Sequence, residues 1–358
     1  MTLFDSLEEI VRTQFPLYNN IAFLSGEKES ADFIKYALKT KGYEFPSGDD
    51  YSVAQDRARH SAISFLLGEL FSGFCSLIER INNLFSESYP YIDTKYLWML
   101  TSLEHDYGYY FQGRNYPNMN EMIGKLFNDG PRDDASLFRD LVFEKKPTMT
   151  YSYSEMISYF DYRNEELKKN ECNEKYEHGI WGGAKLFSDQ QRRINKEKQT
   201  NKELVELKIV CLSIAQHNVY KSEKNTDSDY IERGLYRLIS DSEFRIDEST
   251  PLLLLLSLVD TLECVKKFSR SANKNSNKYL ETKTVLQSID VSFELENKCL
   301  KWDISKLEKK IKEKSEQTLL EALVGYKRSI SSLKQWTSFQ IVELNDEFTI
   351  TLCDIKEE

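Results

Sequence analysis

The sequence lacks several features that would place it in a common class of protein. Its six cysteines are scattered, with no C-x-x-C pair of the kind found in zinc clips and redox sites, which indicates a reduced, intracellular protein. Its most apolar run, residues 251–259, falls well short of the roughly 18 residues that span a bilayer. Acidic residues near the start (Asp5, Glu8, Glu9) replace the basic segment of a secretory signal. We therefore expect a soluble, cytoplasmic protein with no membrane partner.

Positive charge is also in short supply. Lys and Arg number 48 against 58 Asp and Glu, a net charge of −10, which argues against binding to the backbone of DNA or RNA. Aromatic residues make up 13% of the chain, too many for an intrinsically disordered protein. The common phosphate-binding and zinc-protease motifs are missing, since Gly124-Lys125 lacks the upstream glycine of a P-loop and neither G-x-G-x-x-G nor H-E-x-x-H occurs.

Hydrophobic periodicity predicts a mainly α protein. Apolar residues recur at steps of three and four from His60 to Leu84, which is one face of a long helix, and a strongly apolar helix is expected from Pro251 to about Phe268. A length of 358 residues, at roughly 150 per domain, suits a main domain with an appendage. We predict an N-terminal helical extension over residues 1–54, packed on a helical bundle over residues 55–270.

The pattern changes after a Ser/Asn/Lys-rich segment at residues 269–278, which is typical of a linker. Alternating stretches at 285–295 and 298–304 predict two strands, and 305–336 predicts one charged amphipathic helix. Residues 339–344 and 347–355 predict a hairpin that turns at Asn345-Asp346. Residues 280–358 are therefore expected to form a small α+β appendage of the order β-β-α-β-β.

Histidine is scarce, and the positions of the four histidines are informative. His60 and His217 lie on apolar helical stripes, His105 directly precedes Asp106, and His178 precedes a predicted glycine-rich turn at residues 179–183. One histidine on an apolar helical face is usually a hydrogen-bonded core residue. Four of them together favour a shared role.

Asp260 adds a carboxylate to this set. It follows the apolar run 252–259, in a segment too apolar to face water, and a buried carboxylate is costly unless it is paired, hydrogen-bonded or bound to a metal. Taken alone, Asp260 is explained equally well by an N–H or Arg partner. Beside the histidines and Asp106, metal ligation is the better explanation. Imidazole and carboxylate together suit Mn, Fe, Ni, Co or Zn.

The order His60, His105-Asp106, His178, His217, Asp260 resembles the H…HD…H…H…D pattern of the HD-domain metal-dependent phosphohydrolase superfamily, in its bacterial two-metal type. The resemblance covers residues 55–270, about three fifths of the chain. It implies an HD-type helical bundle with two divalent transition metals at its centre. It further implies that His60, His105, Asp106 and Asp260 hold one metal, that His178 and His217 hold the second, and that His105 and Asp106 are catalytic.

One departure from the family pattern concerns the substrate. Many members continue the doublet as HD-x-G-K, but here the run is His105-Asp106-Tyr107-Gly108-Tyr109, so the lysine is missing. Basic residues near the predicted ligands are the candidates to replace it: Arg57, Arg59, Arg114 and Lys185. Each of them could equally be a solvated surface charge.

The resemblance implies hydrolysis of a phosphate ester or anhydride, with a nucleotide or cyclic nucleotide as the small phosphorylated substrate. One alternative is an HD-type nuclease on single-stranded nucleic acid, which the acidic charge disfavours. A second is a di-iron oxygenase, because oxygenases also occur on the HD scaffold. A third is a non-catalytic nucleotide-binding regulator, whose C-terminal appendage docks a partner protein or forms a homo-oligomer.

Overall fold

The structure is a computed structural model of the chain, and it describes residues 1–40, 55–73, 94–111, 118–127, 153–169, 177–197, 201–218, 232–233, 251–269, 278–294, 296 and 298–352. Helices dominate these residues. The α-helices are Leu3–Gln14, Glu27–Thr40, Gln55–Phe71, Thr94–Glu104, Met119–Phe127, Tyr153–Lys169, His178–Glu197, Asn201–Gln216, Pro251–Leu262, Val265–Phe268, Thr282–Gln287, Ser305–Lys314 and Gln317–Ser332. Short 3-10 helices occupy Ala22–Ser25, Tyr107–Phe111 and Leu333–Gln335. The strands are β1 (Asp290–Glu294), β2 (Cys299–Asp303), β3 (Phe339–Leu344) and β4 (Glu347–Leu352).

The chain divides into two compact units. The first unit comprises Met1–Ser47, Gln55–Leu77 and Leu255–Glu358, and the second unit comprises Gly48–Ala54 and Ile78–Leu254. Each unit contains part of the predicted ligand set, and each is described by itself below. The predicted division into residues 1–54, 55–270 and 280–358 stays a prediction.

The first unit contains a four-stranded antiparallel sheet in the order β1-β2-β4-β3. Strands β3 and β4 form a hairpin whose turn residues Asn345 and Asp346 have φ values of 50° and 68°. These positive values suit a tight two-residue hairpin turn, for which Asn and Asp are favoured. The start of the chain extends the sheet, because Leu3 N donates to Ile289 O at 2.8 Å and Val291 N donates to Met1 O at 2.9 Å. The mainly α prediction with a β-β-α-β-β appendage is confirmed.

Within the first unit, two consecutive hydrogen bonds between buried aromatic side chains and the backbone connect the sheet to the end of helix Pro251–Leu262. Trp302 Nε1 on β2 donates to Tyr326 Oη at 3.0 Å, and Tyr326 Oη donates to Leu262 O at 2.8 Å. Both aromatic side chains are fully buried. A carbonyl at the C-terminus of a helix has no intrahelical partner, and here the Tyr326 hydroxyl donates to it. The sheet thereby helps to hold the segment that follows Asp260.

The second unit is built around helix His178–Glu197. This helix packs against Asn201–Gln216, against Met119–Phe127 and against the 3-10 helix Tyr107–Phe111, while helix Thr94–Glu104 packs against Asn201–Gln216. The core of the second unit includes the buried residues Trp98, Trp181, Phe187 and Ile214. None of the described helices of the protein is long and apolar enough to cross a membrane.

Three predicted elements differ from the observed ones. Residues 285–287 belong to helix Thr282–Gln287, so the first strand begins only at Asp290. The helix predicted over 305–336 is broken at Ser315, whose left-handed φ of 55° ends Ser305–Lys314. The helix predicted from Pro251 to Phe268 stops at Leu262 and resumes at Val265. The helix that carries His60 is described only as far as Phe71, and the rest of its predicted length lies outside the described residues.

Candidate metal centre

Three predicted ligands meet within the second unit. One ligand atom each from Asp106, His178 and His217 lies within 4.8 Å of the other two. Asp106 lies in the turn that follows helix Thr94–Glu104, His178 is the first residue of its helix, and His217 comes directly after helix Asn201–Gln216. Asp106 and His217 are buried and His178 is half-buried. The ends of three elements therefore bring two imidazoles and a carboxylate to one place.

Backbone carbonyls fix the tautomers of two imidazoles in this unit. His105 Nδ1 lies 2.7 Å from Ser102 O, and His217 Nδ1 lies 2.5 Å from Ile214 O. A carbonyl oxygen can only accept, so each Nδ1 carries a proton, and in the neutral imidazole the lone pair is then on Nε2. Metal-binding histidines are commonly oriented in this way by a bond to the other ring nitrogen. His105 lies next to the cluster, with Nε2 at 3.6 Å from Asp106 Oδ1.

Asn218 contacts the His178 ring, and Glu177 orients both Asn218 and the start of the helix that His178 begins. The Glu177 carboxylate accepts from the backbone N–H groups of Gly179 and Ile180, at 3.1 and 2.6 Å, and so caps the N-terminus of helix His178–Glu197. The side-chain amide of Asn218 donates to Glu177 Oε1 at 3.1 Å and lies 2.7 Å from His178 Nε2. Tyr109 stacks on the His178 ring with 3.9 Å between centroids.

The glycines after His178 lie inside a helix, so the prediction of a glycine-rich turn is wrong. Their role is close packing of backbones. A Cβ on Gly182 would lie 2.6 Å from Gly108 N, which is closer than real Cβ contacts allow. A Cβ on Gly179 would lie 3.1 Å from the ring of His217. Glycine therefore lets helix His178–Glu197 touch the segment after Asp106 and the ring of His217 directly.

Glu104 is an unusual acid in this unit. It directly precedes His105, is 2% exposed, and its Oε1 atom has no hydrogen-bond partner among the described residues. Burial raises the pKa of Glu104 to about 8, because the charged form loses its hydration. Burial, together with the nearby Glu104, also raises the pKa of the Cys211 thiol, so this cysteine is a packing residue rather than a nucleophile.

The first unit brings together the other two predicted ligands. His60 Nε2 lies 3.2 Å from Asp260 Oδ1, and both side chains are buried. His60 Nδ1 lies 2.8 Å from Glu263 Oε2, a carboxylate that is fully buried. The Glu263 carboxylate also accepts from Val265 N at 2.7 Å, in the break between two helices. The sequence therefore folds so that a carboxylate holds the imidazole on the side away from Asp260.

The charge states in the first unit follow from these contacts. Burial and the nearby Lys266 lower the pKa of His60, but hydrogen bonds to Asp260 and Glu263 outweigh them and raise it above its usual value. Burial alone would raise the pKa of Glu263, yet the hydrogen bond and charge of His60 bring it below the usual range. Glu263 is therefore an ionised acceptor for the imidazole.

The three predicted substrate-binding residues, Lys185, Arg57 and Arg114, lie in different environments or outside the described residues. Lys185 forms an ion pair with Asp189 one turn further along the helix, and Asp189 also accepts from Tyr107 Oη at 3.3 Å. Arg57 is half-buried on helix Gln55–Phe71. Arg114 lies outside the described residues. None of these placements tests a role in substrate binding, and all three stay predictions.

Arg59, the remaining basic candidate, has a structural role. Its guanidinium lies 3.4 Å from Glu27 Oε1 and donates to Thr282 Oγ1 at 3.2 Å and to Ser269 O at 3.3 Å. Arg59 is 5% exposed, and Ser269, which was predicted to begin an exposed linker, is buried as well. Arg59 therefore connects helix Glu27–Thr40 to Ser269 and to Thr282 within the first unit.

The side chains present suit a transition metal. The second unit offers imidazole nitrogens with lone pairs and a buried carboxylate, and the first unit offers an imidazole and a buried carboxylate. Such mixed nitrogen and oxygen donors are typical ligands of Mn, Fe, Ni, Co and Zn, whereas calcium prefers oxygen alone. No protein-family model, curated protein or solved structure matches the chain. The metal preference of the site is therefore inferred from its own side chains.

Several residues of these clusters were missed at the level of sequence. Glu177 carried a usable signal, because an acidic side chain at a helix N-terminus interacts favourably with the helix dipole and the free N–H groups there. Glu263 lies three residues after Asp260, a spacing that places both on one side of a helix, although here the helix has already ended. Asn218 and Lys266 carried no signal of their own, since their contacts depend on how the chain turns.

Proposed function

We propose that this protein is a metal-dependent phosphohydrolase that acts on a nucleotide or cyclic nucleotide through a dinuclear metal centre. The observation that carries the proposal is the approach of Asp106, His178 and His217 to within 4.8 Å in a buried part of the second unit. Two imidazoles and a carboxylate at this spacing match the reach of ligands around one transition metal. The sequence resemblance to two-metal HD proteins supports the same assignment.

The sequence resemblance adds His105, His60 and Asp260 to the proposed ligand set. The structure supports this set within each unit separately. His105 presents Nε2 because its Nδ1 donates to Ser102, and His60 presents Nε2 towards Asp260 because its Nδ1 faces Glu263. In this proposal His105 and Asp106 are the catalytic residues.

Bound divalent metals would supply an activated water nucleophile and would neutralise charge on the phosphoryl group. The residues of the chain would orient the metal ligands and keep bulk water away from them. Glu177 orients the Asn218 amide, which contacts His178 Nε2, and Tyr109 covers one face of the His178 ring. The burial of Asp106 and His217 strengthens electrostatic interactions at the site, because the local dielectric is lower than in water.

A small phosphorylated substrate suits the charge of the protein better than a polymer does. A net charge of −10 repels the many phosphates of a nucleic acid, but a single phosphoryl group is attracted mainly by local positive charge at the site. A nucleotide in addition offers a base that aromatic side chains such as Tyr107 could contact.

The experiment is a hydrolysis panel with the purified full chain. Mono-, di-, tri- and cyclic nucleotides are incubated with Mn, Co, Ni, Fe or Mg, and released phosphate or nucleoside is measured. We expect turnover of at least one nucleotide with a transition metal and none after chelation. Cleavage of single-stranded DNA in place of nucleotides would instead indicate a nuclease.

Two further outcomes would overturn the proposal. An iron spectrum that responds to oxygen, without phosphate release, would indicate a di-iron oxygenase. Tight nucleotide binding without turnover under every metal would indicate a regulator that reads the nucleotide and passes the signal to a partner. The iron spectrum, nucleotide binding and phosphate release are all measured on the same preparation of protein.

A further inference from the structure

Lys266 occupies a specific position in the first unit. Its ammonium Nζ lies 2.6 Å from Asp260 Oδ1 and 3.2 Å from His60 Nε2. These two acceptor atoms are themselves 3.2 Å apart. They are also the atoms that the proposed function assigns as metal ligands in this unit. The ammonium therefore lies where the imidazole lone pair and the carboxylate converge.

The contacts around His60 explain why this position attracts a cation. In the neutral form of His60, Nδ1 donates to the buried Glu263 carboxylate, so Nε2 is left as an acceptor on the other side of the ring. An ammonium has only donors, so Lys266 satisfies Nε2 and Oδ1 together. The buried Asp260 carboxylate needs a compensating charge, and Lys266 supplies one.

A metal and this ammonium exclude one another. A transition metal lies at roughly 2.0 to 2.2 Å from imidazole nitrogen and carboxylate oxygen. An Nζ atom within 3.2 Å of both ligands leaves no room for such an ion. The side chain of Lys266 is 30% exposed, whereas that of Asp260 is 4% exposed. The lysine can therefore swing its charge into water on a flexible stem, while its acceptors stay in place.

We propose that Lys266 is an internal counter-ion of the His60–Asp260 position, which a divalent metal must displace in order to bind there. This inference rests on the proposed function. In the metal-free protein the lysine keeps the buried carboxylate compensated and the ligands aligned. In the presence of metal it competes for the same two atoms, and so it sets the metal concentration at which this position fills.

The test is a titration of the full chain with Mn²⁺, followed by equilibrium dialysis with metal analysis and by thermal unfolding. The variants are Lys266→Met, which removes the charge and keeps much of the stem, and Lys266→Arg, which keeps a cation. The matched control is Lys267→Met, since Lys267 lies over the ring of Tyr326, at 5.2 Å from its centroid. Lys266→Gln, purified with Mn²⁺ present, replaces the methionine variant if that variant does not fold without metal.

We expect Lys266→Met to bind Mn²⁺ about tenfold more tightly than the wild type, because one competing charge is gone. We also expect its metal-free form to unfold at a lower temperature and to be stabilised more by Mn²⁺ than the wild type is. Lys266→Arg and Lys267→Met should bind Mn²⁺ within about twofold of the wild type.

The outcomes separate this inference from the proposed function. If the wild type binds Mn²⁺ and Lys266→Met binds it equally or more weakly, Lys266 is not a competing counter-ion, and the phosphohydrolase proposal stands. If neither the wild type nor any variant binds Mn²⁺, this inference fails, while the phosphohydrolase proposal fails only if Fe, Co, Ni and Zn are not bound either. Tight binding by Lys266→Met with weak binding by the wild type would support the inference most strongly.

Discussion

Replacing Asp106 by alanine should lower the rate of nucleotide hydrolysis by about a thousandfold or more, which corresponds to about 4 kcal/mol of lost transition-state stabilisation. Asp106 Oδ1 lies 3.5 Å from His178 Nε2 and 3.6 Å from His105 Nε2. The carboxylate therefore belongs to the ligand groups on which the proposed activity depends. The measurement is the steady-state rate with the best metal and nucleotide of the hydrolysis panel.

The control for this prediction is an acid of the same unit outside the cluster. Asp161 is exposed on helix Tyr153–Lys169, and Asp161→Asn should leave the rate within about twofold of the wild type. His217→Ala should match Asp106→Ala in direction, because its Nε2 completes the same group. Wild-type activity in Asp106→Ala would show that the cluster is a structural network of polar residues and not a catalytic centre.

Gly182→Ala should destabilise the protein by about 3 kcal/mol, the upper end of what overpacking usually costs. The new methyl group would lie 2.6 Å from Gly108 N, on a rigid backbone that cannot give way as a side chain could. Relief of this clash would move helix His178–Glu197 away from the segment after Asp106. We therefore expect lower metal affinity as well as a lower free energy of unfolding, measured by urea denaturation.

The matched control is a second helical glycine in open space. A Cβ on Gly325 meets no atom within 4 Å, so Gly325→Ala should stabilise the protein by about 0.5 to 1 kcal/mol through helix propensity. Opposite signs for the two substitutions would establish that the effect at position 182 comes from packing. If Gly182→Ala were as stable as the wild type, the close approach of the two backbones would be wrong.

Local rules were sufficient to predict much of the fold. Alternating apolar residues and the Asn345-Asp346 pair predicted the second hairpin, because both its register and its turn chemistry lie within a few adjacent residues. Periodicity could not predict the break at Ser315, because apolar residues continue with helical spacing on both sides of it. The glycines at 179, 182 and 183 were misread as a turn, since only tertiary contacts show that they serve helix packing.

The candidate ligand residues were easier to predict from the sequence than the residues that hydrogen-bond to them. Histidine and aspartate on apolar helical faces are costly to bury, so the sequence pattern alone marks them as candidates for a shared site. Glu263 and Lys266 surround His60 because the chain breaks between Leu262 and Val265, a break that the apolar pattern did not indicate. The lysine partner of Asp260 also shows that its burial alone does not require a metal.

The most direct test of the proposed metal centre is the metal content of the purified chain, measured by elemental analysis after loading with Mn, Fe, Co, Ni or Zn and removal of free ions. We expect about two transition-metal ions per chain, as a dinuclear centre requires. His217→Ala should lose at least one of these ions, and Asp161→Asn should lose none. A wild-type chain that retains no transition metal under any loading condition would contradict the proposal.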